Sequence, residues 1–234
     1  METEADLAIY GGAAGAGKTW ALLYEGLRHI HVPGFGAVVF RRTFPQIMAE
    51  GGLWDEAARM YPMVGGKASV TPTPRYVFPS GNVISFSHLQ YDKSKLDWQG
   101  SQVALILWDE LTQFSWEQFT YLLSRNRSTC GIRPYMRATC NPDPDSWVRS
   151  FLAWWIGADG FPIAERSGVI RWMTVVHNEV MWADTHQELV DRFGDDTHPL
   201  SVTFVPALLK DNPAMTEADP NYISRLQGLP EHER

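Results

Sequence analysis

Apolar residues along this chain follow two rhythms. Short unbroken runs alternate with stretches in which apolar positions recur every three or four residues. The first run, Leu7-Ala-Ile-Tyr10, predicts a strand, and Trp20 to Ile30, with Leu23, Leu27 and Ile30 in step, predicts a helix. Phe35 to Phe40 reads as a buried strand that ends in Arg41-Arg42, and Pro45 to Tyr61 as a helix. Arg75 to Phe78, the turn Pro79-Ser-Gly-Asn82, and Val83 to Ser87 predict a β-hairpin. Val103-Ala-Leu-Ile-Leu-Trp108 is a continuous apolar run between polar residues, which suits a central parallel strand buried on both faces. Trp116 to Leu123 is predicted helical, Pro134 to Cys140 a strand closed by Asn141-Pro-Asp-Pro144, and Val169 to Val176 a strand. His186 to Phe193 is predicted to be a helix and Ser201 to Val205 a late strand. Strands alternating with helices predict an α/β fold with a mostly parallel central sheet flanked by helices, the hairpin being an insertion.

From Pro206 the pattern changes. Pro206, Pro213, Pro220 and Pro230 fall among many charges and few large apolar residues, with one short helix expected at Asn221 to Leu229. Residues 1–205 are therefore expected to form one domain, and 206–234 a lid or linker. Composition adds exclusions. No apolar run approaches the ~20 residues that span a bilayer. The acidic start, Met1-Glu-Thr-Glu-Ala-Asp6, is not a signal peptide, and two cysteines, Cys130 and Cys140, imply no disulfide framework. A net charge of −7 argues against tight nonspecific DNA binding by the isolated chain, although a local patch stays compatible with DNA contact. Most of the ten tryptophans are expected in the core, with one or two at most touching a ligand.

Chemistry concentrates in three places. Gly12-Ala13-Ala14-Gly15-Ala16-Gly17-Lys18-Thr19 is a complete G-x-x-x-x-G-K-[ST] phosphate-binding loop, between a predicted strand and a helix that opens at Trp20. Its glycines let backbone N–H groups face phosphate oxygens, Lys18 brings a cation, and Thr19 offers a hydroxyl to Mg²⁺. The implied cofactors are ATP and Mg²⁺. Asp109-Glu110 ends the apolar run, where an aspartate can bind Mg²⁺ and the next glutamate can polarise the attacking water. Asn141, with Thr139 behind it, ends a third strand and is the candidate γ-phosphate sensor. An arginine supplied in cis or by a neighbouring copy is expected to neutralise charge on the transferred phosphoryl group; Arg41 and Arg42, at a strand end, are the leading candidates, ahead of Arg125, Arg127 and Arg133. The loop itself carries no arginine.

Six segments occur in order: Gly11 to Trp20, Val39-Phe-Arg-Arg-Thr-Phe-Pro-Gln46, Gly52-Leu-Trp54, Leu105-Ile-Leu-Trp-Asp-Glu-Leu-Thr-Gln-Phe114, Ala138-Thr-Cys-Asn-Pro142 and Leu209-Lys-Asp-Asn-Pro213. Together they resemble the large terminase subunit of tailed bacteriophages. The resemblance implies a P-loop NTPase domain of RecA/ASCE type that hydrolyses ATP to drive double-stranded DNA into a procapsid. It implies Lys18 and Thr19 as phosphate and Mg²⁺ ligands, Asp109 as Mg²⁺ ligand, Glu110 as catalytic base and Thr139-Cys140-Asn141 as coupling motif. It further implies a ring of copies on the capsid portal, contacts with portal protein and small terminase subunit, no membrane, and the cytoplasm of an infected bacterium. The family's nuclease domain is expected to lie beyond this sequence, so no nuclease activity is expected in it. The alternatives are a P-loop helicase or other DNA-dependent ATPase, a small-molecule kinase, and a non-hydrolysing nucleotide-gated module.

Overall fold

A computed structural model describes residues 3–226 apart from 13, 142 and 220. Ten strands form one sheet in the order β3-β4-β5-β2-β6-β7-β1-β10-β8-β9. The strands are β1 (Leu7–Gly12), β2 (Gly36–Arg41), β3 (Lys67–Ser69), β4 (Arg75–Val77), β5 (Val83–His88), β6 (Leu105–Trp108), β7 (Tyr135–Cys140), β8 (Ile170–Val176), β9 (Glu179–Ala183) and β10 (Leu200–Ala207). The run from β5 through β2, β6, β7 and β1 to β10 is parallel throughout. Both flanks are antiparallel, β3-β4-β5 on one side and β10-β8-β9 on the other. The predicted hairpin is thus built into the sheet, because β5 pairs in parallel with β2.

Alternation along the central strands explains the two cores. Ala37 and Val39 of β2, with Leu105 and Leu107 of β6, face one side, where they pack with Leu22, Leu23, Leu53, Ala57 and Tyr61. Val38, Phe40, Ile106 and Trp108 face the other, with Phe114, Phe119, Leu122 and Phe151. A strand buried on both faces cannot alternate apolar with polar residues, which is why these segments read as unbroken apolar runs.

The helices are α1 (Lys18–Glu25), α2 (Phe44–Met48), α3 (Leu53–Met60), α4 (Trp116–Leu123), α5 (Trp147–Phe151), α6 (His186–Phe193), α7 (Pro213–Ala218) and α8 (Tyr222–Leu226). Two depart from expectation. The helix expected over Trp20 to Ile30 starts two residues earlier and stops at Glu25, and turns follow through Leu27, Arg28 and Ile30. The helix expected over Pro45 to Tyr61 is broken at Ala49–Gly52. There Ala49 is extended, Gly51 has φ +69°, and a Cβ on Gly52 would meet the Ala49 carbonyl at 2.7 Å. Side-chain N-caps occur on α2, where Thr43 accepts from the Gln46 N–H, and on α4 and α6, where Ser115 and Thr185 accept from the Gln118 and Glu188 N–H groups; the bounds of α4 and α6 coincide with the sequence expectation. The late strand extends to Ala207, two residues past the expected boundary. Of the expected helix at Asn221 to Leu229, α8 is its described part, and residues beyond 226 lie outside the description.

Candidate nucleotide-binding site

The parallel strands end on one edge, and their last residues build the site. β1 runs into the phosphate loop. Gly17 adopts the left-handed conformation (φ 76°), which brings the chain into α1. Ala21 donates the first helical bond, to the Gly17 carbonyl at 3.0 Å, so the preceding turn of backbone faces the loop at the positive end of the helix. The Lys18 ammonium donates to the Gly12 carbonyl at 2.9 Å and to Asn141 Oδ1 at 2.7 Å. Lys18 is buried. Burial lowers its pKa, while Glu110, Cys140 and Asp109 pull it back up.

Asp109 follows β6 and is 3% exposed. A buried carboxylate needs partners, and this one has three. Thr139 Oγ1 of β7 donates to its Oδ1 at 2.8 Å, Thr19 Oγ1 lies 3.5 Å from the same oxygen, and Arg41 Nη1 donates to Oδ2 at 2.6 Å. Glu110 comes next, in a left-handed backbone conformation (φ 58°, ψ 64°) that ends the strand abruptly. Its N–H donates to Thr139 Oγ1 at 3.0 Å, and its carboxylate lies 4.0 Å from Arg41 Nη1. Burial chiefly, and Asp109 second, raise the Glu110 pKa; Arg41, Lys18 and the Asn141 N–H oppose the rise.

These groups share one cavity of about 910 Å³. Ala14, Gly15, Ala16, Gly17, Lys18, Thr19, Trp20, Arg41, Asp109, Glu110 and Asn141 line it. Gly12 holds Lys18 through its carbonyl, and Ala13 lies outside the described residues. Arg42 is the expected site residue that the structure places elsewhere. Successive strand residues point to opposite faces, and Arg42 follows Phe40 to the α4 side, donating to the Leu89 carbonyl at 2.9 Å and to Gln118 Oε1 at 3.0 Å. Arg133 pairs with Asp6 at the far end of β1, and Arg127 donates to the Ser101 carbonyl.

The cavity also has walls that strand-end reasoning misses. Gln46, Gly51 and Gly52 border it from the broken α2–α3 segment, and Asp211, Asn212 and Met215 from the segment after β10. Asn212 Nδ2 donates to the Gly15 carbonyl at 2.7 Å. A Cβ on Gly15 would lie 2.5 Å from the Tyr222 ring, so glycine alone lets that ring rest on the loop. The sequence signal for the second wall is Leu209-Lys-Asp-Asn-Pro213, the last of the six ordered segments.

The donor set fits Mg²⁺. A hydroxyl and a carboxylate oxygen 3.5 Å apart approach the roughly 3 Å separation of adjacent ligands on an octahedral ion with ~2.1 Å bonds. No cluster of three His, Cys, Asp or Glu suited to a metal occurs among the described residues. An ion here would be held by Asp109 and Thr19, the rest of its shell coming from phosphates and water.

Cys140 packs against Gly11 under the loop and is fully buried. Burial, then Glu110, push its thiol up to about 12, against the pull of Lys18. Native protein is therefore expected to expose one reactive thiol, that of half-buried Cys130. Timed titration with a thiol reagent checks this: the second thiol should react only on unfolding. Two fast thiols would contradict the packing of Cys140.

A phosphate loop after β1, an acidic pair after β6 and an intervening strand, β7, followed by Asn141 define the P-loop NTPase class in its RecA/ASCE-like arrangement. The profile of the family described as "Terminase large subunit, T4likevirus-type, N-terminal" matches residues 9–234. The chain belongs to that family. Solved structures share the fold. The large terminase of the thermophilic bacteriophage D6E aligns at TM-score 0.60 and 13% identity, over 95% of this chain and 45% of its own. The same protein in complex with ATP-gamma-S aligns at 0.58 and 12%, over 95% and 44%. The large terminase ATPase domain of Thermus phage P74-26 aligns at 0.54 and 13%, over 99% and 86%. The chain thus spans about half the length of the D6E protein. No curated protein sequence matches it.

Proposed function

We propose that this chain is the ATP-hydrolysing domain of a DNA-packaging motor. The observation that carries the reading is the convergence of Lys18 and Thr19, Asp109 and Glu110, and Asn141 from three neighbouring strand ends on one cavity. The phosphates of ATP bind along Gly12 to Thr19, with Trp20 at the helix start. Lys18 exchanges Gly12 and Asn141 for phosphate oxygens. Thr19 and Asp109 hold Mg²⁺, which when bound neutralises charge on the β- and γ-phosphates. Thr139 keeps Asp109 and the Glu110 backbone in register. Glu110 takes a proton from the attacking water. Arg41 stands within the same chain as the candidate cation for the developing charge. Asn141, released when Lys18 turns to the phosphates, reports γ-phosphate loss.

The segment after Ala207 acts as a lid on the loop, through Asn212 and Tyr222, and leads toward a nuclease domain outside this sequence. The full-length partners are double-stranded DNA, further copies in a ring, portal protein and small terminase subunit. The setting is the cytoplasm of an infected bacterium. No helix among the described residues is long and apolar enough to cross a membrane.

The test is phosphate release from Mg²⁺·ATP without any acceptor. Wild type should turn over, and Lys18→Ala should lose ~10²-fold or more, the scale of removing one preorganised charge donor. Release that requires an acceptor substrate would make the chain a kinase, and wild-type inactivity a gated module. Displacement of a strand from a model duplex would favour the helicase reading.

A further inference from the structure

The cavity is large for a phosphate chain alone; about 910 Å³ is in the range of clefts that take whole ligands, ~300–1,000 Å³. Two aromatic residues stand among its lining residues. Tyr10 lies under the loop, its hydroxyl 3.4 Å from the Ala16 carbonyl. Trp20 is different. It is 53% exposed, although α1 buries Leu22 and Leu23 completely. One face of its indole is covered by Tyr24, one helical turn on, with ring centroids 5.2 Å apart and planes within 7°. Tyr24 is itself 58% exposed and is not part of the cavity wall. The pair is thus an ordered two-ring stack on the surface, whose outer member borders the phosphate cavity directly after Thr19. Met215 of α7, polarizable and suited to covering an aromatic ring, borders the same cavity.

An exposed, ordered indole is a platform for a flat ring. Stacking on an aromatic side chain uses the π-face that every base has, and it grows with ring area. A nucleotide seated by its phosphates on this loop carries its base to the cavity wall beyond them. We propose that the free face of Trp20 stacks the purine base of the bound nucleotide, making Trp20 the residue that selects a nucleoside triphosphate over bare polyphosphate, and a purine over a pyrimidine. Tyr24 holds the indole flat. The proposal rests on the phosphate-site reading above.

Calorimetric titrations with ATP, UTP and inorganic triphosphate, each with Mg²⁺, test it. Trp20→Ala should weaken ATP binding about tenfold, in the range found when a stacking aromatic is removed. It should leave triphosphate affinity unchanged and narrow the preference for ATP over UTP. Trp20→Phe should recover most of the loss. Unchanged ATP affinity in Trp20→Ala overturns the proposal, and so does an equal loss of ATP and triphosphate, which would mean damage to the loop. Loss of self-association at unchanged ATP affinity also overturns it and makes the stack a contact between copies. A wild type that binds neither ATP nor triphosphate removes the phosphate-site reading itself, a result distinct from all of these.

Discussion

Glu110→Gln is expected to lower ATP turnover by ~10²-fold or more while nucleotide affinity stays within about twofold, because a general base is lost and no phosphate contact is. The substitution keeps the shape of the side chain. It keeps the left-handed turn at the strand end and the Glu110 N–H bond to Thr139. It removes a carboxylate whose pKa is raised by burial and by Asp109, a shift toward the range in which a carboxylate takes a proton more readily. Asp109 stays with Arg41 and Thr139, so Mg²⁺ binding should persist. Steady-state phosphate release, set beside calorimetric nucleotide binding, separates the two effects. Turnover near the wild-type rate would remove Glu110 from the base role.

Trp108→Ala is expected to destabilise the fold by ~3–5 kcal/mol, the usual cost of emptying a large aromatic site in a core. Trp108 is fully buried, with Phe40 stacked at 5.1 Å and Phe114 edge-on at 4.9 Å. The site cannot collapse easily, since it sits mid-sheet between β2 and β7. Trp108→Phe should cost much less. The indole N–H has no hydrogen-bond partner among the described residues, so its removal sacrifices no bond. Denaturant midpoints of the two variants measure the difference. Trp108 also directly precedes Asp109, so the alanine variant should lose turnover under conditions where it is still folded. A cost under about 1 kcal/mol for alanine would contradict the packing described, since it falls below the range for such truncations.

The parts of this fold that were legible in the sequence are those where local pattern and tertiary role agree. The central strands declare themselves because burial on both faces demands unbroken apolar runs. α4 and α6 declare themselves because Ser115 and Thr185 cap amphipathic segments. Elements at the sheet margins do not. β3 is three residues of Lys67-Ala-Ser69, largely exposed, and its pairing with β4 carries no apolar signature. β9 follows β8 through His177-Asn178, both at positive φ, a two-residue turn whose asparagine was the available clue. α5 is too short for its period to register. In the site, the loop and the acidic pair were legible because their chemistry dictates residue type and spacing. The separation of Arg41 from Arg42 was not, because it depends on which face of β2 carries α1. A lid was expected of the segment after Pro206, but the particular contacts of Asn212 and Tyr222 with the loop were not legible, because no local pattern encodes a contact across the length of the chain.

That long reach bears on the order in which the molecule is made. β1 precedes the other described strands along the chain, yet its neighbours are β7 and β10, with Leu7 beside Met136 on one side and Val202 on the other. The loop that follows β1 takes its bond from Asn212 across 197 positions. A growing chain therefore carries an unpaired apolar strand and an unfinished phosphate cradle until the ribosome has made nearly all of the residues described. Competence to hold a nucleotide arrives only after Asn212 has been made, and the nascent strand Leu7-Ala-Ile-Tyr10 waits longest among the described strands for its partners, which gives a chaperone its opportunity.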